Sequence, residues 1–222
     1  MGGGVGPKGQ GIDDIVARVD AASVRSYSGI GVTINSTLGT QSFNSAGVSF
    51  ISNRGESVFV FASSGFVTSQ TTTGVSGAQS RTMSAWVRPG KKASQGVMSA
   101  GANGAGTGMA LATSSTNWLM GYGNSGAATT LTYDLHQWYF LTYVSELISG
   151  STHRLKFYVN GGLAHTAVVS SINLTNSTLR IGCDNSGFGF SGQIARTNFY
   201  KKALSDNEIR KSFWNYKNRY GL

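Results

Sequence analysis

In Leu155-Lys156-Phe157-Tyr158-Val159 the odd positions are apolar, and Met83-Ser84-Ala85-Trp86-Val87 repeats the arrangement with Met83, Ala85 and Val87. A period of two sends alternate side chains to opposite faces, the mark of a half-buried β-strand. Strand-like stretches recur at short spacing, at 48–51, 57–62, 82–88, 96–100, 108–113, 117–122, 129–133, 138–144, 154–159, 178–183 and 193–200. Asn160-Gly161-Gly162 sits between two of these runs. Asn-Gly supplies the positive φ angles of a tight turn, so a hairpin is predicted there. Residues 63–80 are small, polar and unperiodic and predict a long loop; 101–106 and 123–127 predict shorter glycine-rich turns.

One helix is signalled. Ser205-Asp206-Asn207-Glu208 reads as a capping box, in which the serine and glutamate satisfy orphan amides in both directions. Ile209, Phe213 and Tyr216 then share one face, which predicts a helix docked on the outside of a sheet. At the other end, residues 1–11 form a glycine-rich arm with little side chain to bury. Gly2, Gly3, Gly4 and Lys8 are its candidate partner-docking residues, and the folded domain is expected over 12–222.

Composition agrees with many short strands in one undivided domain. Of the 222 residues 40% are hydrophobic and only 12% charged, with 31 glycines and 2 prolines. The net charge of +9 raises the question of an anionic partner. The 18 Lys and Arg are scattered from Lys8 to Arg219 without a run of five or six, which favours plain solubility. Cys183 is the sole cysteine, so no internal disulfide forms, and its apolar setting marks a small buried hydrophobe. No basic segment followed by an apolar one signals secretion, and no apolar run reaches transmembrane length.

Three stretches carry a family resemblance. They are VDAASVRSYSG (19–29); TMSAWVRP (82–89) followed by HQWYFLTYV (136–144) and LKFYVNG (155–161); and GFSGQIARTNFYKKALSDNEI (189–209). In order and spacing they resemble the laminin G-like branch of the concanavalin A-like lectin/glucanase superfamily, over roughly 19–222. The terminal RYGL with Asn215 ahead of it is similar to the endings of such domains in tailed-bacteriophage structural proteins. The resemblance implies an all-β fold, a two-sheet antiparallel jelly-roll sandwich with one short C-terminal helix. Function does not follow from fold.

Glucanases of this superfamily carry an E-x-D-x-x-E pattern on one strand, and glycoside hydrolysis needs two acids at a defined separation. The nine acids here (Asp13, Asp14, Asp20, Glu56, Asp134, Glu146, Asp184, Asp206, Glu208) nowhere form it. His136, His153 and His165 have no acid beside them in sequence. No enzyme is expected. Calcium-binding relatives use loop carboxylates, and hard cations want several oxygen ligands. Only Asp184 and, alone elsewhere, Asp134 are candidates, and Arg196 stands where relatives often carry an acid. No cofactor is expected, calcium included.

A glycan site needs an aromatic platform beside amides at a loop end. Trp118, Tyr122 and Phe188, with Asn124 and Asn185, are the candidates, whereas Trp86 and Trp138 are expected to fill the sandwich core. Nucleic acid would want basic residues interleaved with exposed aromatics, a pattern the sequence lacks, and no membrane partner is expected. The expectation is a non-enzymatic virion structural protein, a capsid decoration or tail-associated subunit assembled in the host cytoplasm. Its partners would be other virion proteins, copies of itself and surface glycans. The alternative is a free-standing lectin-like module.

Overall fold

The Asn-Gly signal is met at a hairpin whose turn residues, Asn160 (φ 51°) and Gly161 (φ 79°), both take the left-handed conformation. A computed structural model describes residues 14–53, 56–123 and 126–222. Its strands are β1 (Ile15–Asp20), β2 (Thr33–Asn35), β3 (Leu38–Gly39), β4 (Ser42–Asn53), β5 (Glu56–Ser69), β6 (Arg81–Pro89), β7 (Gln95–Gly101), β8 (Gly108–Thr113), β9 (Asn117–Gly121), β10 (Gly126–Thr132), β11 (Tyr139–Ser149), β12 (Thr152–Val159), β13 (Gly162–Val169), β14 (Arg180–Ile181) and β15 (Ser191–Tyr200). One helix, α1 (Asp206–Trp214), and a 3₁₀ turn, Lys217–Tyr220, follow. No helix among the described residues is long and apolar enough to cross a membrane. The candidate arm residues Gly2, Gly3, Gly4 and Lys8 lie outside the described residues, as does Asn124.

All pairings are antiparallel, and the hydrogen-bonded path runs β10-β9-β8-β7-β14-β5-β15-β6-β11-β12-β13. Two layers arise because β5 changes partner along its length. Residues 59–62 pair with β15, and 67–68 pair with β14. The bend between these segments has a local cause. Ser63 has φ 66°, and Gly65 lies so close to Gly47 that a Cβ on it would stand 2.1 Å from the Gly47 carbonyl oxygen. The loop expected over 63–80 therefore begins only after Ser69. Small and polar residues hid the strand because Ser63, Ser64 and Gly65 interrupt the alternation where the strand bends.

Two cores result. Between the layers pack Phe43, Phe61, Met83, Ala85, Val87, Leu111, Trp118, Leu141, Tyr143, Leu155, Phe157 and Phe199. The opposite face of β6, β11 and β12 carries Trp86, Phe140, Val144 and Tyr158, and α1 with the 3₁₀ turn covers it through Ile209, Phe213, Tyr216 and Tyr220. Trp86 stacks on Tyr220 at 4.2 Å and on Phe213 at 5.9 Å. Trp86 and Trp138 are thus buried, but beneath the helix and not between the sheets, a correction that follows from strand parity. Both reciprocal bonds of the capping box form: Ser205 accepts from the Glu208 amide, and Glu208 accepts from the Ser205 amide.

Arg196 belongs to the same covered face. A bulge at Ala195 shifts the register of β15, and Arg196, Asn198 and Tyr200 then face Trp86, Ser84 and Thr82. Arg196 Nη1 donates to Asp20 Oδ2 at 2.8 Å, Arg219 Nη1 lies 3.2 Å from Asp20 Oδ1, and the Tyr216 ring sits 4.0 Å from the Arg196 guanidinium carbon. The residue standing in place of an acid is a structural clamp between β1, β15 and the C-terminal segment.

Candidate functional site

The loop after β14 is built around Asp184. Its Oδ1 accepts from the amides of Ser186 (2.9 Å) and Phe188 (2.8 Å), the side-chain-to-backbone turn that aspartate favours. The Phe188 carbonyl in turn accepts from the amides of Gly96 (2.9 Å) and Asp184 (3.2 Å). The backbone of Phe188 is therefore fixed, while its side chain is among the exposed large hydrophobics, at 56%.

Beside it lies the loop between β7 and β8. Asn185 Nδ2 donates to the carbonyls of Ala100 (2.9 Å) and Gly101 (3.1 Å), and Ser186 Oγ donates to Asn103 Oδ1 at 2.9 Å. The Gly106 amide donates to the Tyr122 carbonyl at 2.9 Å, which brings the end of β9 to the same place. The outcome is a braced turn that carries the exposed Phe188 ring and the Ser186 hydroxyl, with the exposed Asn103 amide joined to it through that hydroxyl.

Several predicted site residues serve other ends. Trp118 is fully buried, 4.7 Å from the Tyr133 ring and 5.3 Å from the Tyr139 ring, so it is a core residue and not a platform. The alternation of β9, with Trp118 and Met120 inward, carries that signal. Tyr122 is half-buried and packs against the inter-sheet core. Asn185 braces the loops through both of its hydrogen bonds. Of the predicted set, Phe188 alone presents an exposed aromatic side chain. Asn103 and Ser186 were not foreseen; the signal was their place in small-residue turns, where polar side chains have little else to pack on.

The ionic and nucleophilic candidates resolve in the same way. Asp184 is occupied by its turn, and Asp134 is exposed, its amide donating to the Tyr139 hydroxyl. Among the described residues no three His, Cys, Asp or Glu side chains stand close enough to hold a metal ion. Burial pushes the Cys183 thiol up to about 11, so it stays protonated at neutral pH. Ser145 Oγ lies 2.8 Å from His153 Nδ1, but the two are sealed from solvent at 2% and 0% exposure. Trp214 is exposed, yet Lys217 Nζ sits 3.8 Å from its ring centre and occupies one face.

A laminin G family model, described as "Concanavalin A-like lectin/glucanases superfamily", matches residues 61–210. Among curated proteins, none matches the chain. Among solved structures, the chain is similar to a botulinum neurotoxin type C structure described in terms of cell entry dependent on two ganglioside molecules (16% identity, TM-score 0.68, 92% of this chain and 51% of that one). It is also similar to the binding domain of Paraclostridial Mosquitocidal Protein 1 (16% identity, TM-score 0.68, 93% and 53%). A third is domain 4 of AbnA, a GH43 extracellular arabinanase from Geobacillus stearothermophilus, in complex with arabinotriose (15% identity, TM-score 0.64, 89% and 97%). The chain thus spans about half the length of the two toxin chains and nearly all of the arabinanase domain. At these identities the likeness is one of fold.

Proposed function

The chain belongs to the concanavalin A-like lectin/glucanases superfamily, and from that premise we propose that it is a non-enzymatic, lectin-like domain that binds saccharides at the Phe188 loop end. The observation that carries this reading is Phe188 itself, an aromatic ring exposed on backbone held by three hydrogen bonds. An exposed ring costs solvation, and a rigid one loses little entropy when a sugar face stacks on it. Asn103 and Ser186 supply polar groups at its side, the pairing that orients a ligand's hydroxyls. Neighbours of the same fold described as engaging gangliosides or arabinotriose support the class of ligand. The absence of the glucanase acid pattern supports binding without hydrolysis. A glycan array probed with the full chain tests the reading: reproducible binding to a related group of glycans is expected, and a blank array overturns it.

A second reading places the same domain in a virion, as a capsid decoration or tail-associated subunit of a tailed bacteriophage, docked on other virion proteins and on copies of itself. It is favoured by Val24, Ile30 and Val32, which are 83%, 80% and 60% exposed within a dozen residues. Apolar side chains concentrated this way suit a covering protein surface. Size fractionation of the native source tests it. Co-migration with particles of megadalton mass in a fixed ratio to a shell or tail protein is expected, and a free monomer overturns it.

A further inference from the structure

Two adjoining clefts of about 360 Å³ and 310 Å³ share Arg88 and His136 as a common wall. The first is completed by Gln137, Trp138, Arg219, Tyr220, Gly221 and Leu222, the second by Ser191, Gly192 and Gln193 among others. Ser191 follows Phe188 by three positions in the chain. No Asp or Glu lines either cleft.

The side-chain charges in this wall are not balanced. Arg88 donates through Nε to the His136 carbonyl at 2.8 Å and through Nη1 to Gln193 Oε1 at 3.4 Å, both neutral acceptors. Among the described residues no carboxylate comes within ion-pair distance of it. Arg219 shares the single carboxylate of Asp20 with Arg196, and its Nε and Nη2 are buried without acceptors. The Tyr220 hydroxyl is likewise buried without a partner, and burial raises its pKa, so it remains a proton donor. Unpaired donors and excess positive charge in a partly dry setting create a strong local potential for an anion. His136 completes the wall from a left-handed backbone (φ 63°), pinned by its amide on the Pro89 carbonyl and by its own carbonyl on Arg88.

We propose that the Arg88 cleft is a subsite for the carboxylate of an acidic saccharide, a proposal that rests on the saccharide-binding reading. The Nε and Nη1 bonds of Arg88 set the plane of its guanidinium, and a planar fork matches a carboxylate better than it matches a point charge. Arg219 acts from beneath, through its field. Gln137, Gln193 and Ser191 offer amide and hydroxyl groups to the sugar's own hydroxyls, and Trp138 and Tyr220 give the cleft an aromatic wall. The basic groups are gathered in a cleft and not strung along a strand path, which argues against a nucleic-acid backbone.

The test titrates the isotope-labelled full chain with glucuronate, with glucose and with inorganic phosphate, following the Trp138 indole and Arg88 Nε–H signals by NMR. Glucuronate is expected to move both signals and glucose to leave them. Arg88→Gln is expected to weaken glucuronate about tenfold or more, with Arg88→Lys in between. Unmoved signals, or equal affinity in Arg88→Gln, overturn the proposal. Phosphate binding as tightly as glucuronate overturns the assignment to an acidic sugar and leaves a general anion site. Glycan binding that is lost in Phe188→Ala but untouched in Arg88→Gln also overturns this subsite while upholding the Phe188 loop end. A blank array with glucuronate still bound does the reverse.

Discussion

Arg196 and Asp20 stand directly opposite each other on β15 and β1, with Nη1 and Oδ2 2.8 Å apart and side chains only 7% and 13% exposed. A buried ion pair owes its cost to desolvation, so removing one partner is worse than never having had the pair. Asp20 neutralises Arg219 as well, so its loss strands two guanidinium groups. Asp20→Ala is expected to destabilise by about 3–5 kcal/mol, and Arg196→Met by less, because Met keeps apolar contact with Tyr216. The double variant should be less destabilised than the sum of the two, as read from urea midpoints. Strict additivity would show that the pair does not couple β1 to β15.

Stability should also depend on His153. Burial first, and the Arg81 charge second, lower its pKa below the ordinary 6.5. The folded chain then holds this ring neutral where the unfolded chain already binds a proton. The unfolded state binds more protons, so this contribution is complete above about pH 6.5 and is lost as pH falls through that value toward the folded pKa. The melting temperature should drop from pH 7 to pH 5, and His153→Gln should flatten that slope. Arg81→Met should move the His153 titration upward, as seen by NMR of the ring protons. An unchanged titration would remove Arg81 as a cause.

The capping box gives a smaller, local effect. Ser205→Ala removes one of the two reciprocal bonds at the start of α1 and is expected to cost about 1 kcal/mol. Because α1 covers Trp86, the loss should appear as faster amide exchange in 206–214 and as greater quenching of tryptophan fluorescence. Protection equal to wild type would show that packing by Ile209 and Phe213 holds the helix without its cap.

Much of the fold was legible because alternation and turn chemistry are local. The Met83–Val87 and Leu155–Val159 patterns, the Asn160-Gly161 hairpin and the Ser205 cap each need only neighbouring residues, and each appears where expected. What was not legible depends on distant partners. Asp20 and Arg196 meet only after the register of β1 on β15 is set, and the bulge at Ala195 that turns Arg196 to the covered face has no local mark. The site shows the same division. Phe188 follows an Asp-Asn-Ser-Gly turn whose Asx bonding is local, whereas Asn103 reaches the site from a loop more than eighty residues earlier. Trp118 stands beside a turn, as a platform residue would, but the inward parity it shares with Met120 decides its place in the core.

Trp118 and Phe188 now separate packing from binding. Trp118→Ala would empty a fully buried site and is expected to cost about 3–5 kcal/mol, seen as a large fall in melting temperature. Phe188→Ala removes an exposed ring and should leave the melting temperature close to wild type.

The most direct measurement is therefore the affinity of wild type and Phe188→Ala for the strongest saccharide found on the array, with melting curves recorded on the same samples. Covering an exposed phenyl ring contributes on the order of 1.5–3 kcal/mol, so binding by the Phe188 loop end predicts a loss of about tenfold or more at unchanged stability. Equal affinity in the two proteins would contradict it and place the saccharide elsewhere on the domain.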